Sequence, residues 1–160
     1  GEYGNAFLTK HPILESDVIH IPDAPEGSGP YQEHRTLFRN VIDLSGTRLV
    51  VLCTHFGLCE AERRLAVQAA LDQLARERDP VVLLGDLNME PDDPCLSPLY
   101  GALSDTAERK PTPLTFPSGE PKAKIDYIFT DARQKHRDLA TVDTQNSDHR
   151  PLLATIALEA

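Results

Sequence analysis

A mixed α/β sandwich is the fold class this sequence predicts, and three observations carry the prediction. Two strand-like runs, Thr36 to Leu44 and Arg48 to Cys53, flank the turn Ser45-Gly46-Thr47 and read as an antiparallel hairpin. Glu60 to Arg78 has a helical period. Val81 to Leu84 is an unbroken apolar run, the pattern of a strand covered on both faces. The hairpin and the shortage of helices argue against an all-parallel doubly wound sheet.

The elements follow in order. Asn5 to Thr9 is expected to form a short apolar strand that stops before Pro12. Asp23 to Tyr31 is rich in Pro, Gly and Ser and reads as loop. In the first hairpin strand Leu37, Arg39, Val41 and Asp43 share one side, and Phe38, Asn40, Ile42 and Leu44 the other. On the helix Val67, Ala70, Leu71 and Leu74 form the apolar stripe; Glu62, Arg63, Gln73 and Glu77 lie mostly off it, and Asp79-Pro80 ends it. A Pro- and Asp-rich loop follows the buried run, then a short helix near Leu96 to Leu103. Lys110 to Lys122 holds Pro111, Pro113, Pro117 and Pro121 and is expected to be irregular. Lys124 to Thr130 alternates, and Leu152 to Leu158 is the last expected strand.

The 160 residues suffice for one domain, spanning 1–160, and not comfortably for two. Hydrophobic residues at 40% and charged residues at 26% exclude a disordered chain. No apolar run approaches the roughly 20 residues that cross a bilayer, and no signal-peptide pattern opens the sequence. The formal charge of -9 opposes a grip on long duplex DNA, which needs a basic face. There is no tryptophan, and Lys122-Ala-Lys124 and Arg133-Gln-Lys135-His-Arg137 are the nearest approach to a basic cluster. Cys53, Cys59 and Cys95 match no zinc or redox spacing; they read as reduced and structural, and a cytoplasmic setting is expected.

Gly85-Asp86-Leu87-Asn88 directly follows the buried run. Asp86 and Asn88 point to the same side of an extended segment, one offering a carboxylate to orient water, the other an amide to meet a phosphate oxygen. A polar turn at a strand end accounts for these four residues equally well. His55 ends another apolar strand, where α/β folds gather ligand groups; it suits protonation of a leaving oxygen or a structural hydrogen bond. Asp126 lies in an apolar strand and either needs a partner, with His149 the best candidate, or sits at the strand's exposed end. Asp148-His149 pairs a hard oxygen ligand with an imidazole, or is simply loop. Asp92-Asp93 reads as a solvated turn, and His11, His20, His34 and His136 as surface residues. Arg63 and Arg64 open the helix after His55 and face either a phosphate or solvent; Arg35 suits an anion at lower odds. Asn5 caps a strand edge or lines the site.

Taken in order, Gly4-Asn-Ala-Phe-Leu-Thr9, Thr54-His-Phe-Gly-Leu58, Gly85-Asp-Leu-Asn88, Thr115-Phe-Pro117 with Lys124-Ile-Asp-Tyr-Ile128, and Ser147-Asp-His149 resemble the endonuclease/exonuclease/phosphatase superfamily across nearly the whole chain. The resemblance implies a four-layer α/β/β/α sandwich with mixed, largely antiparallel sheets, and hydrolysis of a phosphoester with Mg2+ or Mn2+. By matching motifs Asp86 resembles the residue that orients the attacking water. Asn88 would hold the phosphate with Arg63 and Asn5 as further substrate contacts, and His55 would stand near the leaving group. His149 would contact the scissile phosphate, supported by Asp126, and Asp148 would hold the metal with Asp86 and Asn88. One departure is at the front: the family's early strands and its Gln-Glu metal pair have no counterpart, and Glu2 stands in the wrong context. The chain therefore resembles the C-terminal portion of such a domain, with self-association or a partner chain expected to cover the missing part. The implied substrate is a small phosphoester or a lipid or sugar phosphodiester rather than long duplex DNA. The competing expectation is a catalytically incomplete binding module of the same fold.

Overall fold

A computed structural model gives the fold and describes residues 4–29, 32–107 and 113–158. Glu2, the end of the Asp23–Tyr31 loop, Lys110-Pro111 and the side chain of His136 lie outside the described residues.

The strands are β1 (Ile13–His20), β2 (Thr36–Leu44), β3 (Thr47–His55), β4 (Val81–Asp86), β5 (Ser104–Asp105), β6 (Asp126–Thr130), β7 (Gln134–Thr141) and β8 (Leu152–Leu158). Helix α1 (Glu60–Leu74) joins β3 to β4, and α2 (Ser97–Ala102) follows a 3-10 turn at Pro94–Leu96. One sheet runs β1-β2-β3-β4-β6-β5, and β7-β8 form a second. Only β3 and β4 pair in parallel, as the helical crossover between them requires.

The β2-β3 hairpin forms where the sequence places it, with Leu44 opposite Thr47. Ser45 and Gly46 both adopt positive φ, 57° and 94°, and the Asp43 carboxylate accepts the Gly46 N–H at 2.6 Å. Both central residues at positive φ match the twist of the flanking strands. The predicted alternation on β2 also holds. Leu37 and Val41 join Val50, Leu52, Val81, Leu83 and Phe129 in the core beneath α1 and α2. Ile42 joins Leu49, Val51 and Val82 in a second core, where Leu84, Ile128, Ile156 and Leu158 also pack. The layers are therefore helices, six-stranded sheet and second sheet; among the described residues no helix forms the fourth layer.

Three expectations are corrected. Asn5 to Thr9 makes no strand, and Leu8 there is 94% exposed. Helix α1 ends at Leu74 rather than Arg78. Glu62, Gln73 and Glu77, expected off the buried stripe, are drawn in by partners. Glu62 accepts the Cys59 N–H at 3.2 Å and so caps the helix. Glu77 receives both Arg39 Nε, at 2.6 Å, and Arg39 Nη2, at 3.1 Å, and Gln73 also donates to it. The sequence reading also leaves out β1, β5 and β7.

Candidate active site

The strand register assembles the site. His55 ends β3, Asp86 ends β4 and Asp126 begins β6; His55 pairs with Asp86 and Asp86 with Asp126. The three therefore occupy one rung across adjacent strands. Period-two alternation puts them on one face, because Val51 and His55 share a side of β3, Val82 and Asp86 a side of β4, and Ile128 and Asp126 a side of β6. That face is the one turned toward the second sheet, so the polar row forms the rim of the second core. His149, just before β8, completes the group from the second sheet. A cavity of about 350 Å3 opens there, lined by Gly85, Asp126, Ile128, Ser147, His149 and Leu152 among others.

Gly85 makes the rung possible. Its φ is +147°, and a Cβ at this position would stand 1.9 Å from the Thr54 carbonyl oxygen. No side chain fits where β4 approaches β3 so closely.

Asp86 lies between two imidazoles. Its Oδ2 is 3.4 Å from His55 Nε2 and 3.9 Å from His149 Nε2, and its Oδ1 accepts the Asn88 N–H at 2.8 Å. Burial raises the Asp86 carboxyl to about 6; the Asn88 N–H opposes the rise and the Asp126 charge adds to it. His149 Nδ1 is 2.8 Å from Asp126 Oδ2, and its ring packs against Phe116 with centroids 4.9 Å apart. Burial alone would lower His149, but the Asp126 hydrogen bond and the charges of Asp126, Asp86 and Asp148 outweigh it, and the net shift is upward. His55 is lowered, first by burial and then by the Arg35 charge.

The other residues singled out by sequence fall around this centre. Asn88, at φ +51°, donates its side-chain amide to the Phe56 carbonyl at 2.9 Å and so ties its loop to the end of β3. Arg63 reaches from α1 to the Asn88 carbonyl at 3.0 Å and to Asp93 at 3.2 Å, which braces that loop from below. Asp93 is therefore no solvated turn; it also accepts the Cys95 N–H at 2.9 Å at the 3-10 turn. Asn5 donates to the Thr36 carbonyl at 3.2 Å, beside the rung that ends at His55. Asp148 is exposed and its carboxylate accepts the Ser147 hydroxyl at 3.2 Å; the structure does not gather it with the donors that converge. Those are Asp86, Asp126 and His149, each with one ligand atom, all within 4.8 Å of one another.

Sequence reasoning missed the buried support. Lys124, from the Lys122-Ala-Lys124 stretch, is 1% exposed. Its Nζ is 2.8 Å from Asp105 and 3.0 Å from the Tyr127 ring centroid, and burial lowers it to about 8. Nothing in the sequence marks this burial: even spacing would set Lys124 on the face of Asp126 and Ile128, whereas its Nζ meets Tyr127 and Asp105. Arg133, from the other basic stretch, donates to Asp131 and to the carbonyls of Arg78 and Asp79. The three cysteines are unbonded.

Helices on one side of a mixed sheet, with paired carboxylates and imidazoles at its rim, define an α/β sandwich with a polar site at the strand ends. The chain belongs to the endonuclease/exonuclease/phosphatase family, whose members hydrolyse phosphoesters and whose sequence model matches residues 1–149. It is 28% identical over 169 aligned residues to the uncharacterized protein YbhP of Escherichia coli K12, covering 99% of this chain and 64% of that one. The chain thus spans somewhat under two thirds of this relative's length. An endonuclease/exonuclease/phosphatase from Bacteroides vulgatus superposes with a TM-score of 0.76 at 20% identity, covering 94% of this chain and 67% of its own. A mannosyl-6-phosphatase from Bacteroides thetaiotaomicron superposes with a TM-score of 0.72 at 19% identity, covering 93% and 68%. No helix among the described residues is long and apolar enough to cross a membrane.

Proposed function

We propose that the chain carries the reaction centre of a divalent-metal-dependent phosphoester hydrolase, of which it forms the C-terminal portion. The observation that carries the proposal is Asp86, held between His55 and His149 while Asp126 fixes the His149 ring. In-line hydrolysis forms a bond from water oxygen to phosphorus and breaks the ester P–O bond. Asp86 is the group that orients and deprotonates the water. The leaving oxygen takes its proton from an imidazole, with His55 on that side. His149 donates from Nε2 to a phosphate oxygen as the imidazolium, its Nδ1–H bonded to Asp126 and its second proton kept by the surrounding carboxylates. Asn88 and Asn5 shape the rim, and Arg63 holds the Asn88 loop in place.

Two carboxylates and an imidazole within 4.8 Å form a donor set that suits a hard divalent cation such as Mg2+ or Mn2+, with water and substrate completing its shell. Asp86 would hold such an ion, with Asp126 beside it, Asn88 on the neighbouring loop and Asp148 adding negative charge nearby, while His149 stays protonated toward the phosphate. When bound, the ion neutralises phosphate charge and lowers the pKa of bound water.

The acidic balance favours a small phosphoester, or a lipid or sugar phosphodiester, over long duplex DNA. The shared fold of a mannosyl-6-phosphatase puts a sugar phosphate among the first substrates to assay. Exposed Leu8, Leu14, Val18 and Leu153 support further chain, or a partner, on the side of the second sheet. The thin donor set favours a second reading, a binding module that turns nothing over. Magnesium-dependent turnover of an aryl phosphodiester by the intact protein tests both. Loss of turnover on Asp86→Ala and His149→Ala is expected; equal rates in both variants refute the assignment, and inactivity of the intact wild type selects the binding module.

A further inference from the structure

We propose that Arg35 is a built-in anion receptor of this site, its guanidinium held by Glu33 and offered to a non-bridging oxygen of the substrate phosphate beside His55. The proposal rests on the phosphoesterase reading and adds a residue to it.

Arg35 directly precedes β2. Leu37 pairs with Thr54, so Arg35 sits at the rim where β3 ends in His55. It is 9% exposed, an unusual position for a cation. Its Nη2 is 2.8 Å from Glu33 Oε2, while its Nε is shielded from solvent without a hydrogen-bond partner among the described residues. Buried donors are nearly always satisfied in native structures, so an orphan N–H beside a reaction centre calls for a ligand.

The charges around it point the same way. The rim carries Asp86, Asp126 and Asp148, and the whole chain carries -9, so an incoming phosphate meets repulsion. The other cations near the rim are committed to protein acceptors, although Arg63 also keeps a buried Nε without a partner among the described residues. Arg63 serves the Asn88 carbonyl and Asp93, Lys124 serves Asp105, and Arg150 serves Asp143 and the Ser118 carbonyl. The strand register sets Arg35 at the end of the rung that carries His55, and its charge acts to lower both His55 and Asp86. A guanidinium is also the side chain whose planar fork matches a phosphate.

The test uses the intact protein and two readouts, inorganic phosphate affinity by calorimetry and aryl phosphodiester turnover. Arg35→Met is expected to weaken phosphate at least about tenfold and to cut kcat/KM about 100-fold, with Arg35→Lys recovering part of both. Glu33→Gln, which leaves the guanidinium but removes its carboxylate, is expected to tighten phosphate binding, and it serves if Arg35→Met does not fold. Unchanged phosphate affinity in Arg35→Met, or unchanged or weaker affinity in Glu33→Gln, overturns the receptor. If the wild type turns over no ester yet Arg35→Met still loses phosphate, the hydrolase reading fails and the receptor stands. If the wild type is active and Arg35→Met equals it in both readouts, the receptor fails and the hydrolase reading stands.

Discussion

Nδ1 of His149 lies 2.8 Å from Oδ2 of Asp126, so the ionised carboxylate keeps the proton on Nδ1 and turns Nε2 toward Asp86. Asparagine at 126 keeps the shape but removes the charge that holds His149 protonated, so the ring no longer carries an N–H on both nitrogens. Asp126→Asn is therefore expected to lower kcat by about 100-fold to 10,000-fold. The melting temperature of the same preparation should move by only a few degrees. An unaltered kcat with an unaltered fold removes the positioning role.

Asp86 sets the pH dependence. Its carboxyl stands raised to about 6 in the fold, against an ordinary carboxylate value near 4. The folded protein therefore binds more protons than the unfolded chain between roughly pH 4 and 6, and stability falls as pH rises through that window. Turnover moves the opposite way, because the base works only when ionised. Log kcat/KM is expected to rise with unit slope toward about 6 and to fall again at higher pH as the imidazoles lose their protons, with macroscopic titrations shared among Asp86, His55 and His149. Melts of Asp86→Asn against wild type at pH 4.5 and pH 7 check the stability sign: the variant should gain on the wild type at the higher pH.

Magnesium or manganese should stabilise the intact protein by mass action, by about 2.7 kcal/mol at a hundredfold excess over Kd. The rise in melting temperature should vanish in Asp86→Asn and on adding a chelator. A rise of equal size in Asp86→Asn places the ion elsewhere.

Much of this site is legible in the sequence because its parts end apolar strands. Val51 to His55, Val82 to Asp86 and Ile128 to Asp126 each continue one period-two face, so a polar residue at the end of each run marks the rim of a core. Elements without that signature escape notice. Strand β1 reads ILESDVIH and is exposed at nearly every position, held by backbone pairing and by Arg39 on Glu15 and Asp17, while β7 reads QKHRDLAT and pairs with β8 without an apolar alternation. The converse error is Asn5 to Thr9, which has the apolar composition of a strand but no neighbour to pair with. The burial of Lys124 escapes the sequence for a different reason, since its partner Asp105 is distant in the chain.

Gly85 is expected to tolerate no substitution. Alanine there sets Cβ against the Thr54 carbonyl at 1.9 Å and also forces a side chain to φ +147°. Relief requires β3 and β4 to part at the rung that carries His55 and Asp86. Gly85→Ala should lose at least about 3 kcal/mol in urea unfolding, or about 10 °C in melting temperature. A variant within 1 kcal/mol of wild type shows that the strands are not packed this closely.

Lys124 is the last case, and it separates support from chemistry. Its ammonium is closed off between Asp105, itself buried, and the face of Tyr127, whose hydroxyl donates to the Met89 carbonyl at 2.9 Å. Asp105 also receives the Ala107 N–H at 2.9 Å, so the carboxylate cannot swing out to water without breaking the turn after β5. Lys124→Met leaves that carboxylate buried and unpaired and is expected to cost about 3–5 kcal/mol. Changing both partners, Lys124→Met with Asp105→Asn, removes the uncompensated charge while keeping an acceptor for Ala107. The double variant should therefore be more stable than Lys124→Met alone, a coupling of about 1–3 kcal/mol read from a double-mutant cycle. Two residues on, at the start of β6, Asp126 should keep its bond to His149, so the double variant is expected to retain kcat within about tenfold. Strict additivity of the two losses dissolves the pair as a structural unit. Full stability with a collapsed kcat instead moves Lys124 into the reaction itself.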